Sequence, residues 1–120
     1  HVIIQNSTHP LLQPIRAKYC RSFTSKFAGL MMKPEIDQFT GILLVEKRDS
    51  RVETSIHMLF MRFDITVVWI NSDMRVVDIK LARKWQPYLA PAQPASFVLE
   101  THPQQFSSFK IGDYLEFFHE

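Results

Sequence analysis

Ile56-His57-Met58-Leu59-Phe60-Met61-Arg62-Phe63-Asp64-Ile65-Thr66-Val67-Val68-Trp69-Ile70-Asn71-Ser72-Asp73-Met74-Arg75 is the densest apolar and aromatic stretch of the chain, and it decides the fold. Its second half, Ile65 to Ile70, is mostly β-branched or aromatic and runs into Asn71-Ser72-Asp73, the pattern of a strand that ends in a turn. Arg75 to Ile79 returns as the second arm of a hairpin. Positions 71–74 contain no glycine, so the sequence does not name the turn type. The same stretch carries His57, Arg62, Asp64 and Thr66 and is expected to supply both the core and any polar site.

Upstream, Val2 to Ile4 reads as a short strand, followed by a segment that Pro10 and Pro14 keep irregular and that wraps an edge. Ser22 or Thr24 caps a short helix placing Phe23, Phe27, Leu30 and Met31 on one side, closed by Lys33-Pro34. Gly41 to Val45 is a buried strand, Glu46 to Ser50 its charged turn, and Val52 to Phe60 a further extended segment. Downstream, Lys80 to Pro94 is an irregular cover anchored by Trp85, Tyr88 and Leu89. Ala95 to Glu100 is a strand, Thr101 caps a second short helix containing Phe106 and Phe109, and Tyr114 to Phe118 is the final strand. The expected fold is therefore α+β and β-rich: a mostly antiparallel sheet or a partly closed small barrel, with two short helices.

With 120 residues the chain fits a single domain, 1–120, in which 1–15 forms an N-terminal edge or extension. A hydrophobic fraction of 46% argues against disorder. Apolar runs are too short to span a bilayer, and the first residues lack the pattern of a signal peptide. Cys20 is the only cysteine, which excludes an intrachain disulfide framework and a thiolate-rich metal site. The net charge of +2 is ordinary for a soluble surface. Arg16, Lys18, Arg21, Lys26 and Lys33 form a modest basic run, read as a solvated face.

Candidate chemistry is sparse. His57 can titrate near neutrality or hydrogen-bond a ligand, and Asp64 can accept at a turn or pair with Arg62, whose planar fork suits carboxylates and phosphates. Thr66 offers a hydroxyl, and Trp85 beside Arg83 and Lys84 offers an aromatic face with cations, although its first expected role is to bury itself as a lid anchor. His1, His9, His57, His102 and His119 are too dispersed to give a metal signal, and no phosphate-binding loop, HExxH or calcium loop is present.

Gly29-Leu30-Met31, Gly41-Ile42-Leu43-Leu44, His57 to Phe63, Val76-Val77, Val98-Leu99-Glu100 and Gly112-Asp113-Tyr114-Leu115 together resemble, in order and spacing, the DUF192 (UPF0127) family of small prokaryotic domains. Lys26 resembles the family's polar or basic residue before Gly-Leu-Met, and Phe60-Met61 its central aromatic element. Asp64-Ile65-Thr66 stands where the family has Pro-Ile-Asp or Pro-Leu-Asp, and Asp73-Met74 where it has an aspartate-glycine turn. The resemblance implies a compact β-rich domain, often in an extracytoplasmic setting, and no reaction.

The expected function is a noncatalytic binding or accessory domain with a ligand site near Lys26, His57, Arg62, Asp64, Thr66 and Trp85, in which Phe60, Met61 and Trp69 hold the scaffold. A small polar or anionic molecule or a protein is the expected partner; nucleic acid is not. The sequence names no cofactor. The alternatives are a hydrolytic or proton-transfer enzyme using His57 with an acidic or hydroxyl partner, and a structural protein-interaction module using exposed surface near Trp85, Tyr88 and Leu89.

Overall fold

The computed structural model describes residues 1–21 and 36–120. Its strands are β1 (Val2–Asn6), β2 (Ile15–Cys20), β3 (Thr40–Ser50), β4 (Ile65–Ile70), β5 (Val76–Ala82), β6 (Ala95–Thr101) and β7 (Leu115–His119). They form one seven-stranded sheet in the order β5-β4-β6-β3-β2-β1-β7. Neighbours run antiparallel except β2 and β3, so the sheet is mixed. It is not closed into a barrel, but its two edges meet at one end. There Val76 N–H donates to Asp113 O (2.9 Å), Leu115 N–H donates to Met74 O (2.9 Å), and Arg75 bridges Tyr114.

Every residue of β4 is buried, because side chains leaving both faces of the strand meet apolar partners. Ile65, Val67 and Trp69 pack with Ile42, Leu44, Met58 and Met61; Val68 and Ile70 pack on the other side with Val2, Ile4, Ile15, Leu43 and Leu99. Trp69 Nε1–H donates to Thr54 O (2.7 Å), which satisfies its polar atom and ties the preceding loop to the strand. Gly41 lets β3 approach β6: a Cβ there would lie 2.5 Å from Glu100 O.

Several expected elements differ. Glu46 to Ser50 is not a turn but the continuation of β3, which bulges before Ser50 pairs with Ala95. Val52 to Phe60 is not extended; it is a series of turns with one isolated bridge, Ile56 to Leu89. β2 was not expected, because its alternating charges read as a basic run rather than as the outward face of a strand. The first expected helix, with Lys26, lies outside the described residues. The second is a 3-10 helix, Pro103–Ser108, capped by His102 rather than Thr101, and Phe109 is buried beyond its end while Phe106 is exposed. Two short helices are therefore not a feature of the described fold.

The hairpin turn solves its lack of glycine by another route. Asn71 Oδ1 accepts from the N–H groups of Asp73 and Arg75 (both 3.0 Å), and Met74 takes a left-handed φ of +66° where the family resemblance expects glycine. At the seam of the two edges, Asp113 is 2% exposed and accepts from Asn6 Nδ2 (2.7 Å) and Lys110 N–H (2.8 Å), with His9 Nδ1 at 2.7 Å. Burial pushes its carboxyl up, but these partners outweigh burial and hold it below the ordinary value.

Candidate functional site

Two loops, 51–64 and 83–94, are braced against each other beside the central strands. Ile56 N–H donates to Leu89 O (2.8 Å) and Leu89 N–H to Ile56 O (2.9 Å); Met58 N–H donates to Gln86 O (2.7 Å) and Trp85 N–H to Met58 O (2.7 Å). Ile56, Met58, Met61 and Leu89 face the core and anchor this ladder. Asp64 Oδ1 accepts from Lys84 N–H (2.8 Å), while Lys80 Nζ and Arg51 Nε donate to the carbonyls of Ala90 (2.6 Å) and Pro91 (2.9 Å). The result is a fixed frame made from irregular chain.

From this frame Phe60 and Trp85 project into solvent, 60% and 53% exposed. Their ring centroids lie 4.9 Å apart at an interplanar angle of 61°, an edge-to-face pair. Both residues have left-handed backbones, with φ of +67° and +69°. For a side chain other than glycine that conformation costs about 1–2 kcal/mol per residue. Bulky aromatics are thus held in water by strained backbone, a combination that points to function.

Arg62, Arg83 and Lys84, on the same two loops, are exposed, and none of their charged ends has a partner among the described residues. The Asp64 to Lys84 bond brings the 62–64 segment against 83–85, so the three cations belong to the same two segments of chain that carry the rings. Asp64 is the adjoining carboxylate, and it is engaged by backbone. Beside the ledge, His57 lines a shallow groove of about 400 Å³ with Val52, Glu53, Pro87 and Tyr88. His57 Nδ1 accepts from Leu59 N–H (3.3 Å).

Of the expected site residues, Arg62, Asp64 and Trp85 lie on the two segments that the Asp64 to Lys84 bond joins, and His57 sits in the same braced pair of loops. Thr66 does not join them: it is 0% exposed and its hydroxyl donates to Pro103 O (3.1 Å). Lys26 lies outside the described residues. Trp85 and Tyr88 do not anchor the cover by burial; both are exposed, and Leu89 alone of the three is buried. Phe60 likewise is not scaffold, whereas Met61 and Trp69 are buried. Phe60, Arg83 and Lys84 are the ledge residues missing from the expected set, and the Arg83-Lys84-Trp85 run was the signal for two of them.

Among the described residues no three His, Cys, Asp or Glu side chains gather as a metal would need, and no helix is long and apolar enough to cross a membrane. The Ser55 hydroxyl, near His57 in the groove, donates to Val52 O (2.7 Å) and is committed to its turn.

The family model DUF192, described as "Uncharacterized ACR, COG1430", matches residues 2–117. UPF0127 protein PH1112 of Pyrococcus horikoshii is 30% identical over 118 residues, covering 97% of this chain and 99% of its own length. UPF0127 protein TK1120 of Thermococcus kodakarensis is 36% identical over 85 residues, 71% of this chain and 52% of its own. The chain thus spans about half the length of some of the curated relatives it matches. A solved structure from Sinorhizobium meliloti 1021, described as a "putative transcription regulator", superposes with a TM-score of 0.80 at 17% identity, covering 97% of this chain and 91% of its own. At that identity the likeness is one of fold.

Proposed function

The chain belongs to the DUF192 (UPF0127) family of uncharacterised proteins, and we propose that it acts as a noncatalytic binding domain whose recognition surface is the Phe60–Trp85 ledge with Arg62, Arg83 and Lys84. The partner is anionic and accepts aromatic side chains. The observation that carries this function is the pair of exposed rings on left-handed backbones, since strain retained in a well-braced frame is a cost to folding that binding can offset. The cations, which have no partners among the described residues, give the sign of the partner's charge. Asp64 positions the Trp85 segment through Lys84 N–H, and His57 contributes the neighbouring groove. An enzyme working through His57 has less support, because the Asp64 carboxylate and the Thr66 and Ser55 hydroxyls are each engaged by backbone groups.

Trp85 emission tests the proposal. The chain is titrated with an acidic aromatic peptide, a single-stranded oligonucleotide and vesicles bearing anionic headgroups. At least one should perturb the emission, with the response weakening as salt rises and vanishing in Arg62→Glu/Lys84→Glu. Silence across the panel, or a response indifferent to charge reversal, would refute the binding function.

A further inference from the structure

We propose that the partner of the ledge is the surface of a lipid bilayer with anionic headgroups, an inference that rests on the binding function above and names its ligand. Phe60 and Trp85 stand out from the frame, and neither lines the adjoining groove of Val52, His57, Pro87 and Tyr88. A small molecule gains affinity by being enclosed, whereas projecting rings gain it by entering something that yields around them. Tryptophan and tyrosine sit favourably at the level of lipid headgroups, with the ring in the apolar boundary and the polar edge in water. Trp85 supplies such a ring, and Phe60 supplies a purely apolar one.

Charge complementarity favours the same occupant, since the two loops carry four cations, Arg51, Arg62, Arg83 and Lys84, against two carboxylates, Glu53 and Asp64. Arg62, Arg83 and Lys84, exposed on the two loops that carry the rings, have no partners among the described residues, so they are available to phosphate groups. Each cation close to an anionic bilayer strengthens association about fivefold, so three strengthen it about a hundredfold. Lipid headgroups move laterally to meet charges wherever they lie; no fixed spacing is needed. A second copy of this chain is a poor fit, because an isologous contact through the ledge would set these cations against their own counterparts. A base inserted between two rings is also a poor fit, since the rings meet at 61° and leave no parallel slot. The braced loops keep the rings out before contact, so little ordering is lost on docking.

Flotation of the chain with vesicles tests this, comparing phosphatidylcholine alone with phosphatidylcholine containing phosphatidylglycerol. Binding is expected only with the anionic lipid, weaker by about fivefold for each of Arg62→Gln, Arg83→Gln and Lys84→Gln, and abolished in Phe60→Ser/Trp85→Ser. Lipids brominated near the headgroup should quench Trp85 and spare the buried Trp69. Should the serine pair fold poorly, Phe60→Gly/Trp85→Gly suits the same left-handed backbones and should lose binding equally. Absence of vesicle binding, binding that persists without the two rings, or quenching that spares Trp85 would overturn the inference. A response to the acidic peptide or oligonucleotide without one to vesicles overturns the bilayer and leaves the binding function; silence to all removes both.

Discussion

Phe60 and Trp85 meet edge to face at 4.9 Å from two different loops, and each does so from a left-handed backbone. Neither ring supports the core, so their cost and their stability contribution can be separated by substitution.

Trp85→Gly should leave stability within about 1 kcal/mol of the native chain. Relief of about 1–2 kcal/mol of backbone strain offsets a lost ring contact of about 0.5–1.5 kcal/mol and the greater freedom of glycine when unfolded. Trp69→Ala, which empties a buried site, should cost about 3–5 kcal/mol. Urea denaturation of the two variants checks the contrast; equal losses would mean that Trp85 serves the fold.

Gly41→Ala should lower stability by about 1–3 kcal/mol, since the added methyl meets Glu100 O, a backbone atom of β6 that cannot rotate away. The β3 to β6 amides should exchange faster with solvent in the variant. An unchanged unfolding midpoint would show that the strands separate at little cost.

Asp113 sets a pH dependence. Its carboxyl ionises below the ordinary range when folded, so the unfolded chain takes up the proton first as pH falls. The stability it contributes is fully present above the ordinary aspartate value, about 4, and is lost as pH drops through the lower folded value. Asp49, where Ser96 and Ser72 outweigh burial, acts in the same sense. Asp113→Asn should therefore destabilise the protein at neutral pH and flatten the acid limb of a stability profile. Parallel profiles for variant and native chains would rule this out.

Asp64→Ala should free the Lys84 N–H and cost about 1 kcal/mol. The loss should be local: hydrogen exchange should quicken at residues 84–86 while β4 stays protected. Uniform loss of protection would instead make Asp64 a global fold determinant.

The central hairpin was legible because β4 and β5 advertise themselves through β-branched residues around a polar turn. β2 was not, since its outward charges at Arg16 and Lys18 also fit a solvated run, and only pairing with β1 and β3 makes the inward residues a face. The end of β3 was hidden for a similar reason: Glu46 to Ser50 carries turn-like residues, yet an exposed strand tolerates them. Arg62, Asp64 and Trp85 could be picked out as polar or aromatic residues amid apolar chain. Their convergence depended on backbone bonds between residues 56–58 and 85–89, which leave no trace in side-chain identity. The exposure of Phe60 was equally invisible, because a phenylalanine in an apolar stretch reads as core until its φ is known.

The strand order bears on how such a chain can be made. β6 lies between β3 and β4, and β1 receives its second neighbour only from β7. A ribosome delivering the chain from its N-terminus therefore releases β3 and β4 with the place between them vacant, and β1 with one edge bare. Neither gap can be filled until the later strands emerge, so assembly of the sheet is tied to completion of these residues, and the nascent strands are the stage at which pairing with a wrong chain is most accessible.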